Sequence, residues 1–166
     1  MPSRTRTAPA AVDPVAVDPL ALEEQVCFAL SVAARNVVAI YKPVLEPLGL
    51  THPQYLVMLA LWQHEPVSVR RLSDLLQLDP GTLSPLLKRL EHAGLVRRER
   101  DPRDERSLAV RLTAEGRALR AQAEKVPIAV VDRLGIEVEE LRNLQVALAR
   151  VIDVTRTALR SDQAAG

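Results

Sequence analysis

The stretch that most constrains this chain is DPGTLSPLLKRLEHAG, residues 79–94. Asp79 followed by Pro80 is an N-cap and first-turn signal, and Gly94 is a helix stop, so the spacing predicts a helix over 80–93. Leu83, Leu86, Leu87 and Leu90 recur at i, i+3, i+4 and i+7 and form one apolar stripe. The opposite face presents Gly81, Ser84, Pro85, Lys88 and His92, flanked by Thr82 and Arg89. It is small and hydroxylic at its start and basic one turn later. Pro85 is the odd residue, because an interior proline costs up to ~3 kcal/mol in a helix and leaves the carbonyl four residues earlier, at Gly81, unpaired. Packing alone does not account for it.

The neighbours of this helix give it a context. VRRLSDLLQL reads as a short helix over 69–77 with Leu72, Leu75 and Leu76 inward, preceded by an extended Pro66-Val67-Ser68. LVRRER and SLAVRL read as two strands joined by DPRDER, a hairpin whose tip is all charge and turn formers. Two short helices followed by a hairpin make a winged helix-turn-helix, whose second helix enters the major groove of double-stranded DNA. Gly81, Thr82, Ser84 and Pro85 then suit close approach to base edges, and Lys88 and Arg89 suit phosphates. Residues 88–111 hold eight positive and five negative side chains, a net +3 inside a chain of +1. Arg98, Arg103 and Arg106 are the hairpin's candidate DNA contacts, with a wing-tip arginine entering the minor groove and Asp104 fixing an arginine's geometry.

The rest of the chain is helical in pattern. Hydrophobic residues make up 48% and aromatics 2%, so the core is aliphatic and suits helices packed on helices. Residues 1–18 read as a disordered tail and 161–166 as a flexible end, leaving one compact domain over 19–160. A first helix is expected over 19–42, started by Asp18-Pro19 and ended or kinked by Pro43 and Pro47. Thr51 and Gln54 form a capping box that opens a core helix containing Met58 and Trp62. Thr113 caps a fifth helix, kinked near Pro127, and a sixth runs over 137–160 with Leu141, Leu144, Leu148, Val151 or Ile152, and Leu159 as its stripe. The expected fold is mainly α with a small β-hairpin wing, in the order α-α-α-α-β-β-α-α, with a short extra strand before the third helix.

The chain has one cysteine, which excludes an internal disulfide framework. No apolar run is read as approaching the roughly 20 residues of a transmembrane helix. The N-terminus is a poor signal peptide, so a cytoplasmic protein without membrane partners is expected. His52, His64 and His92 lack ligand spacing, so neither a metal site nor a cofactor is indicated.

The segments LTHPQYLVMLALW, VRRLSDLLQLDPGTLSPLLKRLEHAGLVRR and DPRDERSLAVRLTAEG resemble the MarR family of winged-helix repressors. The resemblance covers roughly residues 20–160. It implies a homodimer formed by helices over about 19–48 and 113–160, carrying winged helix-turn-helix heads over about 52–112 that read a pseudo-palindromic operator. EQVCFAL followed by YKPVLEPLGLTHPQYL is similar to the one-cysteine organic hydroperoxide resistance repressors (OhrR), a branch of that family. In that branch a cysteine near the start of the first helix senses peroxide, and tyrosine hydroxyls hold its thiolate. Cys27 and Tyr41 stand at the matching places.

Fourteen residues of straight helix separate Cys27 from Tyr41 by about 21 Å, so a contact between them has to cross the dimer interface. With a helix starting near 19, Cys27 lies past the first turn, the macrodipole helps little, and the tyrosine has to stabilise the thiolate. Oxidation by an organic hydroperoxide would give a sulfenic acid and, through a low-molecular-weight thiol, a mixed disulfide, or would go on to over-oxidation. Ser31 stands where the branch often has a second tyrosine. Tyr55 reads as structural or groove-lining. Three competing readings exist: a MarR-type repressor released by a small aromatic or phenolic ligand with Cys27 as packing, a thiol peroxidase, and a structural helical dimer. One cysteine beside a complete reading module is poor catalytic equipment, so a non-enzymatic repressor is expected.

Overall fold

The computed structural model describes residue 18, residues 20–101 and residues 104–165. The expectations for residues 1–17 and 19, for Arg103 and for Gly166 lie outside the described residues. The chain divides into two compact units, one ending at Val37 and the other starting at Val38.

In the first unit, a 3-10 turn over Leu22–Glu24 precedes α1, Val26–Leu45, which continues into the second unit. The helix therefore begins later than its Asp18-Pro19 signal suggests. Asp18 Oδ1 does accept from Leu20 N at 2.9 Å, but it supports a turn rather than a helix. The far end is also corrected, because Pro43 lies inside α1 and the helix runs on to Leu45. It stops at a 3-10 turn over Glu46–Leu48 with Pro47, closed by Gly49 at φ 66°, a left-handed conformation that glycine adopts without strain.

The second unit holds the core. α2, His52–His64, opens with Gln54 Oε1 accepting from Thr51 N at 2.8 Å and from Thr51 Oγ1 at 2.9 Å. Its Tyr55, Val57, Met58 and Leu61 are buried, so it is central. β1, Val67–Ser68, leads into α3, Val69–Leu76, where Ser68 Oγ accepts from Arg71 N. α4, Pro80–His92, is capped by Asp79, whose Oδ1 accepts from Thr82 N at 2.9 Å. β2, Val96–Asp101, and β3, Asp104–Leu112, form the wing hairpin, and β1 joins it to give an antiparallel sheet in the order β1-β3-β2. Val67 pairs with Val110, and Arg97 with Arg111.

The expected kinked fifth helix is two helices, α5 at Ala114–Ala123 and α6 at Val126–Leu134. Pro127 is in the first turn of α6, where its missing N–H costs nothing. α7 runs over Val138–Ala165. The core is aliphatic, with Leu45, Met58, Leu61, Leu72, Leu83, Leu87, Leu90, Val110 and Val126 sealed from solvent.

Two long helices leave apolar surface uncovered. Val26 is 70% exposed, and on α7 Leu144, Val146, Val154 and Leu159 are all more than half exposed. The expectation of no membrane-length segment is also corrected. Val26–Leu48, with mean hydropathy 1.3 and 6% buried, is long and apolar enough to cross a bilayer by length and composition. Arg35 and Asn36 sit at its middle, which hydrocarbon penalises, whereas a helix–helix contact tolerates them at its edge.

The start of α5 is the tightest junction. Gly116 passes so close to Leu95 that a methyl group there would overlap the Leu95 carbonyl. Trp62 Nε1 donates to the Gly116 carbonyl at 2.9 Å. Leu90→Ala, which opens a sealed site, is expected to cost about 3 kcal/mol in urea unfolding. Gly116→Ala should also lower the urea midpoint, because backbone has to move to admit the methyl.

Candidate nucleic-acid interface and thiol site

The predicted stripe of α4 is the buried one: Leu83, Leu86, Leu87 and Leu90 are each 9% exposed or less. That orientation turns Gly81, Thr82, Pro85, Lys88, Arg89 and His92 to solvent and leaves Ser84 half-buried. Gly81 also has a local structural reason, since a Cβ there would lie 2.9 Å from the capping Asp79 Oδ1. Thr82 Oγ1 is committed as well, donating to Asp79 Oδ2 at 2.6 Å. These bonds hold the Asp79 carboxyl below its usual range, so the cap is intact at neutral pH and weakens only in acid. Pro85 lies within α4 and is exposed, and its missing N–H withholds the usual helical bond from the Gly81 carbonyl.

The wing uses several of its cations internally. Arg98 Nε donates to Glu91 Oε2 at 2.9 Å, and Arg98 N donates to Glu91 Oε1 at 3.1 Å, which fastens β2 to the last turn of α4. Glu99 lies between Arg97 Nε at 2.8 Å and Arg111 Nε at 3.0 Å, the pair opposed in the register. Lys88, Arg89 and Arg100 enter no ion pair among the described residues. Asp104 and Arg106 lie on β3, and Arg103 is outside the described residues. Sequence spacing named Arg98 but gave no sign that it would pair with Glu91, since the contact depends on the angle between helix and strand.

Cys27 is exposed. It stands in the first turn of α1 rather than past it, so the positive pole of the helix dipole lies at Cys27, contrary to the expectation. Ser31 Oγ donates to the Cys27 carbonyl at 2.8 Å, so this hydroxyl is turned back on its own helix. α1 is unbroken through both Cys27 and Tyr41.

Tyr41 is half-buried with its ring edge-on to His52, centroids 4.8 Å apart, and 6.0 Å from Tyr55. Tyr55 in turn meets Trp62 edge-on at 6.5 Å. Burial pushes the Tyr41 phenol above its ordinary value, so it stays a neutral O–H donor. Burial, then the nearby Tyr41, does the same to Tyr55, and burial pushes the His52 imidazole down. A cavity of about 470 Å³ opens beside this cluster, lined by Val38, Lys42, Leu50, Thr51, His52 and Pro53. A second, of about 280 Å³, is lined by Tyr55, Leu59, Trp62 and Arg120 among others. Sequence reasoning considered His52 only as a metal ligand and missed its place beside Tyr41. Among the described residues no cluster of His, Cys, Asp or Glu could hold a metal ion.

A buried leucine stripe that presents a polar helix, backed by a three-stranded wing, defines a winged-helix DNA-binding regulator. Known proteins agree. The MarR family model matches residues 50–108. The organic hydroperoxide resistance transcriptional regulator of Bacillus subtilis (strain 168) is 40% identical over 132 residues, covering 80% of this chain and 90% of that protein. Reduced AbfR bound to DNA is 33% identical with a TM-score of 0.72, over 83% of this chain and 94% of that one. CouR from Rhodococcus jostii RHA1 bound to p-coumaroyl-CoA is 30% identical with a TM-score of 0.68, over 80% and 94%. The chain belongs to the MarR family and is a transcriptional regulator.

Glu91→Ala frees Arg98 and loosens the wing. The pair is partly exposed, so about 1 kcal/mol of stability is expected to go, and operator affinity should fall with it in fluorescence anisotropy. The Arg98 hydrogen bond holds the Glu91 carboxyl below its ordinary range. The contribution is therefore complete above that range and is lost as the pH falls through the lowered value, so wild type and variant should converge in acid.

Proposed function

We propose that this chain is a dimeric, cytoplasmic repressor that binds a pseudo-palindromic operator and releases it when an organic hydroperoxide oxidises Cys27. The observation that carries this reading is the position of Cys27, exposed in the first turn of α1, in a chain 40% identical to an organic hydroperoxide resistance regulator. The uncovered apolar residues of α1 and α7 supply surface for a second copy. Because α1 is unbroken, Tyr41 serves the partner subunit's Cys27, not its own.

The thiolate attacks the terminal peroxide oxygen. A sulfur–oxygen bond forms as the O–O bond breaks, sulfur is oxidised to sulfenic acid, and the organic fragment leaves as an alcohol. With no second cysteine in the chain, a low-molecular-weight thiol condenses with the sulfenic acid and water leaves. The mixed disulfide places bulk at the dimer contact and rotates the reading heads off their half-sites. On the DNA, Gly81, Thr82, Ser84 and Pro85 approach the base edges and Lys88 and Arg89 hold phosphates. Arg103, Asp104 and Arg106 belong to the wing contact, and Arg98 sets its angle.

A second reading has its own support. CouR was solved with p-coumaroyl-CoA, and the cavity at Tyr55 and Trp62 suits an aromatic ligand. There, release follows a small ligand and Cys27 is packing.

Anisotropy on the chain's own upstream DNA separates the two. Wild type is expected to bind and, with cumene hydroperoxide plus cysteine, to let go, while Cys27→Ser stays bound. Release of Cys27→Ser by peroxide, or no response from wild type, rejects the peroxide reading. In the same assay Lys88→Ala should weaken binding to all sequences alike and reduce the slope of log K against log salt by about 1.

A further inference from the structure

We propose that His52 is the second group that holds the thiolate of the partner subunit's Cys27, the role for which Ser31 has no free hydroxyl. This rests on the peroxide-sensing reading above. Three observations on separate elements support it. Ser31, one turn after Cys27, spends its hydroxyl on the Cys27 carbonyl. The tyrosine proposed to meet the incoming sulfur, Tyr41, has the His52 imidazole as its nearest ring neighbour, at 4.8 Å. His52 also lines the 470 Å³ cavity beside Tyr41, and none of the hydrogen bonds among the described residues uses its ring nitrogens. Whatever enters that cavity meets an imidazole with both nitrogens available, its ring 4.8 Å from that of Tyr41.

The titratable and charged groups around the imidazole are Tyr41 and Lys42 from α1, Glu46 from the following turn and Tyr55 from α2. Both tyrosines are neutral at physiological pH, and burial favours the neutral imidazole. A neutral imidazole is the form that can accept the thiol's proton. The proton moves from Cys27 sulfur to a His52 ring nitrogen, giving a thiolate–imidazolium pair steadied by the Tyr41 hydroxyl. As the thiolate takes the terminal oxygen of the hydroperoxide and the O–O bond breaks, the departing alkoxide collects that proton and leaves as the alcohol. His52 returns to neutral, sulfur has lost two electrons, and the peroxide bond has gained them. A histidine thus does two jobs that a tyrosine hydroxyl does not, as base toward the thiol and as acid toward the leaving oxygen.

The test is the pH profile of Cys27 alkylation by iodoacetamide on the full-length dimer, for wild type, His52→Phe, His52→Gln and Lys42→Met. Iodoacetamide reports the thiolate without any peroxide chemistry, so it judges His52 separately from the sensing reading. Wild type is expected to keep a reactive plateau below neutral pH, the signature of an ion pair, which both His52 variants lose. Their alkylation at pH 7 should slow about tenfold, and Lys42→Met should follow wild type. A wild-type profile with one ordinary thiol inflection, a profile that the two His52 variants leave unmoved, or one that only Lys42→Met shifts would each overturn the proposal. If alkylation behaves as expected but peroxide fails to release DNA from wild type, the sensing reading fails and the His52–Cys27 pair stands.

Discussion

The reading helix cannot turn about its own axis. Leu83, Leu87 and Leu90 are sealed, Leu86 nearly so, and they meet the buried side of α2 and the base of the wing. A slip of one residue rotates a helix by about 100°. It would bring leucines to water at roughly 2 kcal/mol each and drive Ser84 and Lys88 toward the core. The outward face is therefore set by what is buried behind it. Pro85 lies on that outward face, so its ring displaces none of the sealed leucines.

The same packing ties the reading head to the helices that follow it. Thr113 Oγ1 donates to the Gly94 carbonyl at 2.6 Å and accepts from Gly116 N at 3.0 Å, so the end of α4 and the start of α5 share one side chain. Glu65, just past α2, accepts from Leu112 N and from Arg117 Nε, both at 2.7 Å. With Trp62 bound to the Gly116 carbonyl, α2, β3, α4 and α5 meet at one junction. α2 also carries His52 and Tyr55 of the aromatic cluster at its other end. On the reading proposed above, a displacement at that cluster would be carried by α2 to the bonds at its far end.

How much of this was legible depended on whether the deciding interaction was local. Asp79, Thr51 and Thr113 act within three residues of themselves, and the α4 stripe is a matter of period, so the caps, the helix pair and the hairpin could be read from spacing. The start of α1 could not: Asp18-Pro19 is a sound local signal, but it caps a turn, and the helix begins at Val26. Pro43 misled for the complementary reason, because a lost hydrogen bond near a helix end on an exposed face costs too little to stop the helix. Pro127 marks a first turn and not a kink. Glu91 with Arg98, and Tyr41 with His52, are pairs that exist only once two elements cross, and no spacing rule announces them.

Charge determines what release requires. A chain of net +1 has little general attraction for DNA, and Arg97, Arg98 and Arg111 are already engaged by Glu91 and Glu99. On the reading proposed here, binding depends on two heads meeting two half-sites together, each offering Lys88, Arg89 and Arg100, which enter no ion pair among the described residues. A protein with a broad basic surface would slide along the DNA when its heads rotate and stay bound. On the dimeric reading proposed here, the loss of alignment at either head removes half of the base contacts. On that reading a modest change at the dimer contact would suffice, with no need to unfold the reading head or open the sealed leucines behind it.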